Sequence, residues 1–342
     1  MNDQTLDDKS RVRFSIITPF YNIAPYVDQC LRSLTGQSFK NFEIVAVDDG
    51  SQDETGAMLD ACAAKDPRIK VVHKRNGGLT SARKAGAQVA VGEYVLIVDG
   101  DDWIAPDCLE KLNSIVEKTP VDMVICGYYR VSPGGSKEIP PRPIDRRYGL
   151  FERAEIEEYY LKNLFAVPQN VWGKVYRREL YLAYQLPMDD AIRMGEDLCI
   201  SYPCIAQAKR IYLLNEPLYF YRVNPDSITN SSRKYVTWQE VLSRLRYMAS
   251  ALPLEQFNLR SQFAGCANYS LFNVILNHFG NQSYRATVAE AQEVLDTNEA
   301  KTWIADARRC PRRRDRLVAK LLYLRWFALL KLISAVKKVY KR

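Results

Sequence analysis

Between Arg13 and Val131 the chain alternates five short apolar runs with four stretches of helical spacing, and every one of the first four runs ends in polar residues. The runs are "RFSIITPF", "NFEIVAVDDGS", "RIKVVHKRN", "YVLIVDG" and "VDMVICGYYRV". Between them lie "APYVDQCLRSLTGQS", "DETGAMLDACAAKD", "LTSARKAGAQVAVG" and "PDCLEKLNSIVEK". Apolar strands alternating with helices predict an α/β fold with a mostly parallel sheet covered on both faces. Right-handed crossovers then bring the carboxyl ends of the strands to one edge, where ligands bind in such sheets. "TPFYN", "DDGS", "KRNGG" and "DGDD" all fall on that edge.

"YVLIVDGDDWI" poses the sharpest chemical demand. An apolar strand ends in Asp99, Asp101 and Asp102 within four positions, and grouped carboxylates need a positive partner. Acids with no His or Cys nearby suit a hard cation, Mg²⁺ or Mn²⁺, whose shell substrate phosphates would complete. Asp99 and Asp101, two apart, share one side of an extended chain, and Gly100 permits a close approach of backbone and ligand. Asp102 could instead cap the following helix.

Further along, residues 132–150 are rich in Pro, Gly and charge and read as a loop or lid. "VWGKVYRRELYLAYQLP" reads as a helix, "RIYLLNEPLYFYRV" as two short strands around Asn215–Pro217, and everything from about Arg233 as helical. The expected organisation is a catalytic domain over 11–230, with halves 11–131 and 151–230, then a C-terminal helical region over 231–342. The Gly77-Gly78 pair reads as a turn, since no Walker-type lysine follows it. His73 and His278 read as structural.

Charge is unevenly spread. The chain carries a net +8, yet residues 301–342 hold 14 Lys and Arg against 2 Asp and Glu. Residues 312–342 predict a basic amphipathic helix, with Leu317, Leu321, Leu324, Ala328, Leu332, Ala335 and Val339 on one stripe. Lys320, Arg325 and Lys331 interrupt it, so it suits an anionic membrane interface better than a span. No nucleic-acid module accompanies the charge. With only two His, and eight Cys lacking any C-x-x-C pair, the usual zinc-ligand spacing is not present and reduced thiols are expected. The polar start, "MNDQTLDDKS", has no signal-peptide pattern. The expected location is therefore cytoplasmic, peripheral at the inner face of the membrane.

"FSIITPFYN", "FEIVAVDDGSQDET", "NGGLTSARKAG", "GEYVLIVDGDDWI", "VWGKVYRREL" and "GEDL" occur in this order. Together, over roughly residues 13–230, they resemble glycosyltransferase family 2, on a GT-A fold. The resemblance implies an inverting transferase that takes a sugar from a nucleotide donor, a UDP-sugar, to a saccharide or polyprenyl-linked acceptor in cell-surface polysaccharide biosynthesis. It implies Mn²⁺ or Mg²⁺ as cofactor. Pro19 and Tyr21 match residues that hold the base of the nucleotide, Asp49 the acid that reads that base, and Arg83 an arginine that contacts the nucleotide. Asp99, Asp101 and Asp102 match the ribose- and metal-contacting acids. "DGDD" aligns as Asp99/Asp101 or as Asp101/Asp102, and Asp101 is common to both; the expected metal pair is Asp101 with Asp102. Asp197, beside Glu196 in "GEDL", matches the general base, which direct displacement requires. On composition alone those two acids could simply favour a helix N-terminus. Trp172, Lys174 and Arg177 match a block on the acceptor side. A sugar nucleotidylyltransferase would need a Gly- and Arg-rich loop after the first strand, where this chain has "TPFYNIAPY". A catalytically silent scaffold would not need both Asp101 and Asp197.

Overall fold

The computed structural model of the chain describes residues 12–140, 147–224, 236–310 and 312–340. These fall into two compact units, one running through Tyr160 and taking up again at Pro168, the other comprising Leu161–Val167 and the C-terminal third.

The first unit is built on a ten-stranded sheet. Its strands are β1 Phe14–Phe20, β2 Phe42–Asp48, β3 Ile69–His73, β4 Tyr94–Ile97, β5 Trp103–Ile104, β6 Met123–Val131, β7 Lys137–Glu138, β8 Gly149–Glu152, β9 Lys174–Arg177 and β10 Arg210–Arg222. The order is β3-β2-β1-β4-β9-β6-β10-β5, with β7 beside β6 and β8 beside β10. The longest ladders, β1–β2 and β6–β10, are parallel, while β9 runs antiparallel to both β4 and β6. β1 and β2 are buried at every position, as strands covered on both faces must be. The helices are α1 Ala24–Thr35, α2 Thr55–Ala63, α3 Leu79–Val89, α4 Cys108–Lys118, α5 Arg153–Tyr159, α6 Arg178–Gln185 and α7 Glu196–Gln207. The mixed, mostly parallel α/β sheet with flanking helices is therefore as the alternation predicts.

Two local expectations are corrected. The segment expected to be one helix over "VWGKVYRRELYLAYQLP" contains β9, and only Arg178–Gln185 is helical. Val175 and Tyr176 are buried and pair with β4 and β6, so strand pairing overrides helical spacing there. The two short strands expected around Asn215–Pro217 are one continuous β10, whose pairing with β6 shifts register on either side of Pro217. A proline has no N–H to give the ladder, and the irregularity absorbs it. The expected lid contains β7 and the start of β8; residues 141–146 of it lie outside the described residues.

The second unit is helical: α8 Trp238–Ala251, α9 Leu259–Asn281, α10 Tyr284–Leu295, α11 Asn298–Ala307, α12 Arg313–Tyr323 and α13 Phe327–Tyr340. Fourteen of the residues of α9 are buried, His278 among them, so this helix forms the centre of the unit. The single amphipathic helix expected over 312–342 is instead two. The chain breaks at Leu324–Trp326, where Arg325 takes a left-handed φ of 54° and donates to Leu295 O and Asp296 Oδ1, both at 3.0 Å. The expected stripe divides accordingly, with Leu321 buried and Leu317, Leu324 and Leu332 exposed. Among the described residues no helix is long and apolar enough to cross a membrane.

Candidate active site

At the carboxyl edge of the sheet the loops after β1 and β2 are tied together first. Asp49 N–H donates to Phe20 O at 2.9 Å, and Asn22, at φ 51°, exchanges bonds with Ser51 and Gln52. Pro19 is buried within β1, whereas Tyr21 projects from its end, 48% exposed. The Asp49 carboxylate accepts from Lys74 Nζ at 2.6 Å and from the amides of Gly77 and Gly78 at 3.0 and 2.7 Å. Three of its roughly four acceptor sites thus go to shaping the turn before α3, the turn expected from the Gly-Gly pair.

Arg83, on α3, is the centre of the site. It is 2% exposed, and its Nη2 donates to Asp99 Oδ1 at 2.9 Å while Nη1 donates to Asp197 Oδ1 at 2.7 Å. Glu196 Oε1 lies 3.8 Å from the same Nη1. Residues far apart in sequence thus converge on one guanidinium. Burial opposes the charge on Arg83, but Asp99, Asp197 and Glu196 hold it firmly protonated. Its buried Nε has no hydrogen-bond partner among the described residues, an unusual state for a group that strong. Glu196 and Asp197 open α7 immediately after Gly195, whose φ of 73° is a left-handed conformation that glycine adopts at little cost. The positive end of that helix favours both acids. Burial, then the Asp197 charge, push the Glu196 carboxyl up to about 7.

The acids after β4 have three different environments. Asp99 is held by Arg83, with burial raising its carboxyl against that pairing. Asp102 is 1% exposed and turned inward: its Oδ2 accepts the Tyr219 hydroxyl at 2.6 Å and its Oδ1 the Arg222 amide at 2.7 Å. Both oxygens of Asp102, the second acid of the expected metal pair, are thus engaged within the protein, and α4 is preceded by Asp107, so Asp102 caps no helix. Asp101 remains, and no side chain among the described residues donates to its carboxylate. Burial and the neighbouring Asp99 raise it to about 6. Gly100 serves packing in this arrangement: a Cβ there would lie 2.6 Å from both Phe20 Cδ1 and Ile23 Cδ1 and 2.8 Å from Pro19 O.

Of the block expected on the acceptor side, two members reach this edge. Lys174 is 2% exposed and its Nζ donates to Pro168 O at 3.1 Å and to Asn170 O. Burial lowers it to about 8. The loop it holds presents the Val171 amide to Asp197 Oδ2 at 3.3 Å. Next in chain, Trp172 lies parallel to Tyr219 and Tyr221, with ring centres 4.7 and 5.2 Å apart, and meets Tyr128 edge-on. Arg177 lies elsewhere: it pairs with Tyr94, the first residue of β4, at the opposite edge from Asp99, and its guanidinium sits over the Tyr94 ring. Four residues of strand separate it from the site.

Tyr219 and Arg222 escaped the sequence reading. Tyr219 also accepts the Asp99 amide at 3.2 Å, and Arg222 Nε donates to Asp101 O at 2.8 Å while its guanidinium lies 4.8 Å from the Trp103 ring. The alternating "YFYR" end of β10 was the one available signal, and it has meaning only once β10 is known to lie against β5. Among the described residues no three His, Cys, Asp or Glu side chains form a self-sufficient metal site.

Comparison with known proteins bears on the family and the fold. The model of "Glycosyl transferase family 2" matches residues 15–181. "Uncharacterized glycosyltransferase EpsJ" of Bacillus subtilis is 37% identical over 217 residues, 63% of this chain and 62% of that protein. Glycosyltransferase GlyG of Streptococcus pneumoniae is 40% identical over 229 residues, 63% of this chain and 72% of that protein. The chain thus spans just under two thirds of the first of these relatives. Among solved structures, residues 1–349 of Staphylococcus aureus TarS superpose with a TM-score of 0.65 at 20% identity, covering 95% of this chain and 91% of that one. That likeness gives the GT-A fold, and at 40% identity over most of GlyG, with the family motifs running from β1 into α6, the chain belongs to glycosyltransferase family 2.

Proposed function

We propose that this chain is a metal-dependent, inverting transferase that moves a hexosyl group from a UDP-sugar to a saccharide or polyprenyl-linked acceptor. It would act at the inner face of the membrane, in cell-surface polysaccharide biosynthesis. The observation that carries this reading is the single buried guanidinium of Arg83 binding both Asp99, at the donor strand end, and Asp197, at the start of α7. Two supports come from proteins of the same fold. TarS, named a poly(ribitol-phosphate) β-N-acetylglucosaminyltransferase, is solved with UDP and with UDP-GlcNAc, and GalNAc-T7 with UDP, GalNAc and Mn²⁺.

The residues divide the labour. Pro19 and Tyr21 flank the base of the nucleotide, and Asp49 fixes the loop against which the base lies. Arg83 orients Asp99 toward the ribose and the sugar. Asp101 fits a cation, because its half-buried carboxylate lies beside Asp99 and has no side-chain donor among the described residues; Asp99 is its neighbour on the donor side. Bound Mn²⁺ or Mg²⁺ supplies positive charge to the departing diphosphate. Asp197 accepts the proton of the acceptor hydroxyl as its oxygen attacks the anomeric carbon from the face opposite the diphosphate. The bond from carbon to the diphosphate oxygen breaks, UDP leaves, and the configuration inverts. Glu196 lies beside the base, raised by the same burial and close to the same guanidinium. Trp172, with Tyr221 parallel to it, offers the acceptor sugar an aromatic wall, and Lys174 holds the loop that carries it.

The test is UDP release from a panel of UDP-sugars with Mn²⁺, Mg²⁺ or EDTA, for native protein and for Asp101→Ala. Metal-dependent release that Asp101→Ala abolishes is expected. No release and no UDP binding under any condition would overturn the reading.

A further inference from the structure

The second unit carries an exposed apolar surface whose chemistry is unlike the rest of the molecule. Fifteen large hydrophobic side chains are exposed among the described residues, and seven of them lie between Leu317 and Val336. The packed sides of α12 and α13 are already satisfied. Val318, Ala319, Leu321 and Leu322 are buried, as are Phe327 and Leu330, and Ser334 donates to Leu276 O at 2.8 Å. What stays outside is therefore a second set, not the core face left uncovered. On α12, Arg313, Leu317, Lys320 and Leu324 follow one another at helical spacing; on α13, Leu329, Leu332 and Val336 do the same. Tyr323 and Trp326 stand on either side of the break that joins the two stripes, 58% and 50% exposed.

The exposed charges described on α12 and α13 have one sign. Arg313, Arg314, Arg316, Lys320 and Lys331 are exposed. The one acid of the two helices, Asp315, is buried and takes Arg314 Nε at 3.1 Å. Arg308, Arg316, Lys320, Tyr323 and Leu324 line a shallow hollow beside the stripe, with Arg308 over the Tyr323 ring at 5.2 Å. Three cations around a hollow rimmed by leucine and tyrosine match an anionic phosphate headgroup whose acyl chain continues onto an apolar surface. Amphipathic aromatics beside cations and leucines are the composition of a helix lying in a membrane interface.

We infer that the outer face of α12 and α13 docks this chain on a bilayer of anionic phospholipids. Leu317, Leu324, Trp326, Leu329 and Leu332 enter the interface, and Arg308, Arg316 and Lys320 bind headgroup phosphates. The inference deepens the membrane side of the proposed function by naming the surface and the lipid chemistry, and it rests on that reading only for its biological setting. It also replaces the single helix expected from the sequence with a helix pair whose break carries the tryptophan.

The test uses the full chain and sedimentation with vesicles of phosphatidylcholine alone or mixed with phosphatidylglycerol. Binding to the mixed vesicles only is expected, weakening as salt is raised. Each positive charge removed should cost about fivefold in the partition constant, so Lys320→Glu, which changes the charge by two, should cost well over tenfold. Leu332→Glu and Trp326→Glu should abolish binding with circular dichroism and UDP release unchanged, since both residues are exposed and outside the catalytic unit. Equal binding to both vesicle types, or none, overturns the inference. So does a concentration-dependent dimer that Leu332→Glu dissolves without any vesicle binding, which would assign the face to a second copy. Failure here with intact UDP release leaves the proposed transferase standing; loss of UDP release in the native chain would strike that reading alone.

Discussion

Substituting Arg83 by Met tests whether the guanidinium exists to neutralise the carboxylates that converge on it. The change keeps most of the side-chain volume and removes the charge. At neutral pH it leaves Asp99, Asp197 and Glu196 without the cation that binds two of them within 2.9 Å. Breaking one partner out of a buried ionic cluster costs about 3–5 kcal/mol, a large part of an ordinary domain's stability. The pH dependence gives the mechanism its signature. Asp99 and Glu196 are raised in the native fold, and Arg83 opposes that rise in both, so the substitution raises them further. A group raised on folding binds more protons folded than unfolded. Its favourable contribution is complete below its unfolded pKa and is lost as pH climbs through the folded one. Each carboxyl whose window widens gives up to about 1.4 kcal/mol per pH unit, so the gap between native and variant should narrow steadily on going from about pH 7.5 to about pH 5.5. Urea unfolding at several pH values, followed by tryptophan fluorescence, measures it. A gap that is the same at both ends of that range would refute the electrostatic account and make Arg83 a packing residue.

Other perturbations separate the remaining roles. Asp197→Asn should lower kcat by about 10²–10⁴-fold, the usual contribution of a positioned base, with the KM for the UDP-sugar little changed, as initial-rate kinetics would show. Asp101→Asn should weaken Mn²⁺ binding by at least about tenfold in a titration followed by electron paramagnetic resonance, while Asp102→Asn should chiefly lower stability by loosening Tyr219 and the Arg222 amide. Because Asp101 stands at about 6, native affinity for Mn²⁺ should fall as pH drops through that value, as protonation removes the ligand. Gly100→Ala should destabilise by about 1–3 kcal/mol in urea, since Pro19 O is backbone and cannot swing away from the added methyl.

What could be read in advance follows the range of the interactions concerned. Short apolar runs alternating with helical spacing marked β1 to β4 and β6, whose residues are mostly buried, while the two-residue β5 carried no such signal. β9 was missed because it is four residues long and gains its stability from β4 and β6, not from its own spacing. The same strand fixes the position of Arg177: a helix would have kept it near Lys174, whereas β9 carries it to the far edge. Asp49 and Asp102 stand in the expected motifs, but their hydrogen-bond partners, Lys74 with the two glycine amides and Tyr219 with Arg222, are fixed only by tertiary approach. Lys174 is buried against two loop carbonyls near Asp197, an environment with no signature in its own stretch of sequence.

The three aspartates after β4 show why such a motif resists assignment by alignment. Neighbouring positions on a tight turn point in different directions, and each meets different surroundings: Arg83 for Asp99, the end of β10 for Asp102, and, among the described residues, no side-chain donor for Asp101. Negative charge packed this closely is stable only if its neutralisation is shared out, and here two of the three carboxylates receive protein donors. The third, half-buried and raised by burial and by Asp99, has no side-chain donor among the described residues, which leaves it the open position for a cation. A site arranged in this way binds its cation best when something anionic arrives to fill the remaining positions, since one or two carboxylates do not complete a divalent shell. Metal and nucleotide diphosphate should therefore bind cooperatively, each raising the affinity for the other by the same factor. Independent binding of Mn²⁺ and UDP in a two-ligand titration would remove Asp101 from the position this arrangement gives it.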